Sequence, residues 1–320
     1  MLPARFIVRV APLCLMVLVF GVVSAQEFPN KPIRVLTGAA GGGSDFASRI
    51  IAQGISGPLG QPVIIENRGS GALAAEAVAK APPDGYTLHV NGALLWIQPL
   101  LQKALYDAVR DFAPISLLVR EVNIVAVHPS VPVKSIKELI ALAKSQPGKL
   151  NYAMAGVGGP QHLSVELFKT MAGTDIVAVP YKGTAASITA LVSGEVQFTI
   201  VDAGTVMPHV KSGRLRALAV TTAEPSAMAP GLPTVAASGL PGYESGGVTV
   251  ILAPAKTPAA IVNRLNQEIV RVLRTPEVKE KFFSAGAEIV GNSPEQFATA
   301  IKSDIVRASK VIKDAGIRVD

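Results

Sequence analysis

The feature that most constrains this chain is a glycine-rich turn that occurs twice. Gly38-Ala39-Ala40-Gly41-Gly42-Gly43-Ser44-Asp45 follows the β-branched run Ile33 to Thr37, and Ala155-Gly156-Val157-Gly158-Gly159-Pro160-Gln161-His162 follows Leu150 to Met154. Each then opens an apolar-periodic stretch, Ser44 to about Ser56 in the first case and about Gln161 to Met171 in the second. A strand, a glycine loop and a helix in that order leave backbone N–H groups unpaired at the positive end of the helix, which makes a seat for an anion. One such turn in each of two βα series predicts two lobes, each offering a seat to a cleft between them.

The remaining order supports two series. Short β-branched runs alternate with helical patterns, which predicts parallel sheets joined by crossover helices. Val63 to Glu66 and Tyr86 to Val90 read as strands of the first series, with a helix from Ala72 to Lys80 between them. The strand-like stretch Ile124 to Val127 follows. In the second series Ile176 to Val179, Val196 to Val201 and Arg216 to Thr221 read as strands, and Ser135 with Glu138 reads as a capping box for the helix Ile136 to Ser145. Val248 to Leu252 reads as the return crossing. Thr257-Pro258, Thr275-Pro276 and Ser293-Pro294 with Gln296 each pair a capping hydroxyl with a proline at the first helical position, which predicts three closing helices.

Residues 1–25 are set apart as a signal peptide. Arg5 and Arg9 precede an apolar run from Ala11 to Val23, and Val23-Ser24-Ala25 offers the small residues of a cleavage site. The chain's one cysteine, Cys14, falls inside that run, so disulfides, thiol catalysis and cysteine-based zinc sites are excluded for the mature protein. Arg5 and Arg9 supply two of the formal +7 charges, leaving +5, a balance that slightly favours anionic small molecules. No Lys/Arg-rich run interleaved with aromatics occurs, so nucleic acid is not an expected partner.

The candidate ligand contacts are Gly38, Ala39, Gly42, Gly43, Ser44 and Asp45 in the first turn, and Ala155, Gly156, Gly158 and His162 in the second. Ser44 or Asp45 alternatively caps the helix, and His162 alternatively bonds a neighbouring loop. No Gly-Lys-Ser/Thr follows the first turn, which rules out a phosphate-cradling P-loop. Gly69-Ser70-Gly71-Ala72-Leu73-Ala74 fits a dinucleotide fingerprint in spacing, but Asn91 stands where the nucleotide reading needs an acid, and Asn91 joins the candidate contacts instead. Tyr181, Lys182 and Gly183 follow a strand and open a helix. Lys182 either neutralises a ligand carboxylate or lies on the surface, and Asp202 either meets a ligand donor or caps the next helix. No cofactor or metal is expected, since no histidine pair has helical metal-site spacing and no G-x-S-x-G elbow is present.

Many pieces in order resemble one family. They include Phe28-Pro29-Asn30-Lys31-Pro32-Ile33-Arg34, Gly41 to Asp45 with Arg49, Glu66-Asn67-Arg68 with Gly71, and Ala81 to Thr87. Pro147 to Ala153, Gly156-Val157-Gly158 with His162, Pro180 to Gly183, Gly213 to Val220, Leu232-Pro233-Thr234, Pro241-Gly242-Tyr243 and Ala253 to Pro258 continue the match. The chain thereby resembles the periplasmic substrate-binding receptors of tripartite tricarboxylate transporters (TctC and Bug-type receptors). The resemblance implies an α/β, bilobal periplasmic binding protein fold of type II, and no enzymatic activity. Domain I would be residues 26–120 and 247–320, and domain II residues 121–246, with hinges near Val119 to Val127 and Gly246 to Leu252. It implies a monomeric periplasmic receptor for a small organic acid (a di- or tricarboxylate, an amino-acid-like acid or an aromatic acid), serving membrane permease subunits. One ligand carboxylate would sit between the two glycine turns. Two departures from the family pattern bear on pocket shape: relatives often have Pro-Phe entering the first loop, where this chain has Thr37-Gly38-Ala39, and Trp where Val248 stands. A sensor acting on a membrane signalling partner and an exported hydrolase are the competing readings.

Overall fold

A computed structural model describes residues 28–317, so the signal-peptide reading of residues 1–25 lies outside the described residues. The chain forms two sheets. The first contains β1 (Ile33–Thr37), β2 (Val63–Asn67), β3 (Thr87–Gly92), β4 (Phe112–Glu121), β10 (Val248–Pro254) and β11 (Ala287–Ile289), in the order β11-β4-β10-β3-β1-β2. The second contains β5 (Asn123–Val127), β6 (Asn151–Met154), β7 (Val177–Pro180), β8 (Phe198–Asp202) and β9 (Arg216–Val220), in the order β7-β6-β8-β5-β9.

The two sheets share one plan. In each, the second, first and third strands of a βα series run parallel, and a strand arriving from the other half lies antiparallel between the third and fourth. That inserted strand is β10 in the six-stranded half and β5 in the five-stranded half. Strands β5 and β8 are largely apolar runs buried on both faces, the pattern that helix-covered sheets demand, and β3 is buried on both faces although Thr87, His89 and Asn91 are polar. The six-stranded half has α1 (Gly43–Leu59), α8 (Ala259–Leu273) and α9 (Pro276–Ser284) on one face, and α2 (Gly71–Ala79), α3 (Leu94–Leu101) and α10 (Pro294–Asp314) on the other. In the five-stranded half α4 (Ile136–Ser145) and α5 (Pro160–Ala172) cover one face, and α6 (Thr184–Val192) and α7 (Ala203–Lys211) the other.

Two adjacent chain passages join the halves. β4 runs into β5 through Val122, and the Glu121 N–H donates to Gly247 O at 2.8 Å, just ahead of β10. Gly247 leaves room there for the Glu121 carboxylate, which a side chain at 247 would strike. The halves also touch through α5, whose Leu163 is buried among Leu95 and Ile97 of α3 and Ile301 and Val311 of α10.

Three elements escaped the sequence reading: α3, β4 and β11. Helix α3 carries Pro99 and is apolar almost all round, so it lacks a helical stripe. Of the three anticipated hydroxyl–proline helix starts, Ser293-Pro294 forms a full capping box with Gln296. Thr275 caps α9 in position only, its hydroxyl donating to Val272 O. Pro258 itself is the cap of α8, because Thr257 turns back to Pro254 O. Ser135 caps α4 as anticipated, while Glu138 reaches past it to the Lys134 N–H.

Helices α1 and α8 approach closely at Gly54, where an added Cβ would stand 2.4 Å from a methyl of Val272. Overpacking costs about 1–3 kcal/mol, against a helix-propensity gain of about 1 kcal/mol for Gly→Ala. Gly54→Ala is therefore expected to lower stability by about 1 kcal/mol net in urea denaturation, and adding Val272→Ala should relieve the clash. A single variant more stable than the parent would contradict this contact.

Candidate functional site

The two glycine turns fold the same way. Gly41 and Gly158 adopt positive φ (80° and 71°), a region costly for residues with a Cβ. Gly42 and Gly159 follow in extended conformation as the N-caps of α1 and α5, and neither has a side chain to cap the helix. Position for position, Gly43, Ser44 and Asp45 correspond to Pro160, Gln161 and His162. The third helical residue closes each turn: the Gly41 N–H donates to Asp45 Oδ2 and the Gly158 N–H donates to His162 Nδ1, both at 2.9 Å.

Asp45 is thus neither the cap of α1 nor an exposed contact. It is 4% exposed and accepts from Arg49 Nε (3.1 Å) and Asn67 Nδ2 (2.9 Å), while Asn67 also donates to Gly38 O (3.1 Å). The Arg49 guanidinium, helped by the Gly41 and Asn67 donors, holds the Asp45 carboxyl at about 2 against its desolvation. Ser44 does not cap either; its carbonyl accepts from Ser48 Oγ. Arg49 and Asn67 are residues that the sequence reading quoted without a role. Their signal was the motif itself, polar residues at fixed distance from the turn.

His162 is 7% exposed, and because Nδ1 accepts from Gly158 its neutral proton resides on Nε2, which faces Glu166 Oε1 at 4.0 Å. Glu166 in turn accepts from Tyr152 Oη and Lys169 Nζ, both at 2.7 Å. Desolvation pushes the imidazole pKa down, partly opposed by the Glu166 carboxylate.

The ends of the second and third strands complete the surroundings. The Tyr181 N–H donates to Met154 O, as the Arg68 N–H does to Thr37 O in the other half. The Tyr181 hydroxyl donates to Glu195, Lys182 is exposed, and Gly183 (φ 88°) caps α6. Asn91 lies inside its own half, accepting from the Gly92 N–H (2.8 Å), bonded to His89 Nε2 (3.1 Å) and packed on Gly71. Asp202 caps α7, accepting from Thr205 N and Oγ1 at 2.7 and 2.8 Å.

Two cavities bridge the halves. One is lined by Gly43 and Phe46 of the first turn and helix, Glu121, Thr249, Phe282 and Asp202. The other is lined by Pro160 and Leu163, together with Ala93, Ser245, Asp304 and Arg307. Each glycine turn therefore faces the end of the third parallel strand of the opposite half. The structure brings Gly43 and Asp202 into one cavity, whereas Gly38, Ala39, Gly42, Ser44, Asp45, Asn91, Ala155, Gly156, Gly158, His162 and Tyr181 to Gly183 line neither. Among the described residues no three His, Cys, Asp or Glu side chains gather closely enough to hold a metal ion.

Comparison with known proteins places this arrangement. The family model described as "Tripartite tricarboxylate transporter family receptor" matches residues 47–317. Protein BugT of Bordetella pertussis is 31% identical over 303 residues, covering 93% of each chain. A protein from the tcbD-tcbE intergenic region of Pseudomonas sp. strain P51 is 34% identical over 292 residues, covering 90% of this chain and 87% of its own. Among solved structures, R. palustris Rpa4515 with adipate is 37% identical (TM-score 0.73; 91% of this chain, 99% of that one). MatC of Rhodopseudomonas palustris with bound malate is 31% identical (TM-score 0.68; 89% and 100%). A TctC solute-binding protein from Polaromonas, at 23% identity and TM-score 0.82, shares the fold. A family model spanning most of the chain and near-full-length relatives above 30% identity show that this chain belongs to the tripartite tricarboxylate transporter receptor family.

Proposed function

We propose that this protein is an extracytoplasmic receptor that holds one carboxylate of a small organic acid between its two glycine turns and presents the closed complex to a membrane permease. The observation that carries this reading is the repeated turn, with a helix start whose cap is a glycine and whose first amides have no side-chain acceptor. An anion there completes hydrogen bonds that the chain leaves open and lies at the positive end of a helix dipole. Gly42, Gly43 and Ser44 supply such amides in one half. Gly159 and Gln161 supply them in the other, where Pro160 has no N–H to give and the Gly158 N–H is already bonded to His162 Nδ1. Adipate and malate, bound by two relatives, are carboxylates of the size such a site takes.

The working cycle follows from the two-passage connection. An acid docks on one half, and rotation about the strands that join β4 to β5 and lead into β10 brings the other half over it, removing water and strengthening the charge-assisted bonds. In this cycle residues 26–120 with 247–320 move against residues 121–246, and no bond of the ligand breaks. Gly38, Ala39, Ala155, Gly156, Tyr181, Lys182, Gly183 and Asp202 line the closed cleft and set its far end. Asp45 and Asn91 act from behind it.

Two experiments test the reading. A thermal-shift panel of organic acids that includes adipate and malate should contain at least one that raises the melting temperature, by about 2.7 kcal/mol of stability at a hundredfold excess over its dissociation constant. No shift with any acid at millimolar concentration would refute it. Gly42→Asp or Gly159→Asp places a carboxylate at the cap, where an added Cβ meets nothing nearer than 3.5 Å. Each should raise the stability of the empty protein by a few tenths of a kcal/mol. Each should also weaken acid binding about 10- to 100-fold in calorimetry, because the internal carboxylate takes the amides and repels the ligand. Unchanged affinity in both variants would remove the ligand from the turns.

A further inference from the structure

The two turns are built alike but closed by opposite chemistry. In the first, an acid at the third helical residue is paired one turn later with a base, Asp45 with Arg49. In the second the order is reversed, with His162 followed one turn later by Glu166. Asp45 accepts from the Gly41 N–H as a carboxylate that stays ionised far into acid, its pKa lying at about 2. His162 accepts from the Gly158 N–H through a ring nitrogen that can do so only while it lacks a proton.

We propose that His162 is the positioning residue of the second anion seat, and that its protonation releases the Gly158 turn and lowers the receptor's affinity for its acid. This rests on the receptor reading above. The groups around the imidazole favour such a change. Glu166 faces Nε2 at 4.0 Å and supports a positive ring. Lys169 and Tyr152 both bond Glu166 from α5 and β6, and β8 contributes the uncharged Thr199, bonded to Gln161. On the adjoining face of α5, Asp304 and Arg307 of α10 and Glu244, itself paired with Arg120, line the cavity with Pro160 and Ser164. Once charged, Nδ1 becomes a donor opposed to the Gly158 N–H, and one of the two must turn away.

The sign of the effect is set by the direction of the shift. Burial depresses the imidazole pKa, so the brace is complete above the ordinary histidine value and is lost as pH falls through the lower folded value. The Asp45 brace is untouched in that range. Acidification thus opens one seat and leaves the other.

The test uses the mature chain and a His162→Asn variant, whose amide oxygen can accept from Gly158 as Asp45 does from Gly41 but does not titrate. In wild type, nitrogen-detected NMR should show an unprotonated Nδ1 at pH 8. The Gly158 amide signal should shift with the ring's titration, and it should not shift in the variant. Affinity for adipate and for malate, taken as the ratio of wild type to variant so that the acids' own titration cancels, should fall as pH drops through the imidazole pKa, with a slope of at most about tenfold per pH unit for one proton. A proton on Nδ1 at pH 8, a Gly158 amide indifferent to ring titration, or a ratio that is flat or rises on acidification would each overturn the proposal. Failure of both proteins to bind any acid of the panel would instead sink the receptor reading, and the two NMR readouts would still decide the brace.

Discussion

Everything that is distinctive here depends on polar backbone groups left without partners. A helix start ordinarily satisfies its first amides with a side-chain cap, and this chain does so at Ser70, Ser135, Asp202 and Ser293. At α1 and α5 it places glycine at the cap instead. The omission costs about a few tenths of a kcal/mol for glycine against the best caps, and it keeps the amides available. Glycine also permits the left-handed turn one residue earlier that points the chain into the helix. In the proposed cycle the rest of the fold holds two such helix starts on separate halves.

The repeated plan of the sheets accomplishes that. In both halves the glycine turn follows the first parallel strand, which lies at the middle of the trio of second, first and third strands. Helix starts at the carboxyl ends of parallel strands are the general location of α/β binding sites. Because β5 and β10 each come from the opposite half, the two connections lie side by side at one edge of the cleft, bonded through Glu121 and Gly247. A pair of adjacent strands resists twisting yet permits bending. The burial of Leu163 against α3 and α10 adds a contact between halves that any opening must break or slide along.

Much of this was legible in the sequence, and the reasons for the gaps are physical. The glycine turns, most of the strands and the start of α10 announced themselves through local chemistry: β-branched runs, glycine where φ must be positive, a serine three residues before a glutamine. Strand β4 did not, since Phe112-Ala113-Pro114 begins it with a proline, and it pairs with β10 across a bulge more than a hundred residues away in sequence. The roles within the site were harder still. Asp45 reads from sequence as a ligand contact or a helix cap, and His162 as a ligand contact or a loop brace, because a single sequence shows a polar side chain at a helix start and not what it faces. The folded chain decides between these roles: both turn back onto their own loops, as the second reading of His162 has it. Asn91 and the Tyr181 hydroxyl are likewise engaged within their own half.

That engagement shapes what kind of recognition the cleft performs. With Asp45, Arg49, Asn67, Asn91 and His162 all committed to bracing, the proposed seat consists mainly of main-chain amides at the two turns. Amides recognise a carboxylate by position and charge, with no preference for what it is attached to. On the proposed reading selectivity among acids comes from elsewhere in the cleft. A receptor built this way can keep its anion seat constant while exchanging the walls around the ligand's far end. The braces make this possible, since they hold the amides in place whether or not a ligand is present, and the ligand need not supply the energy to order them.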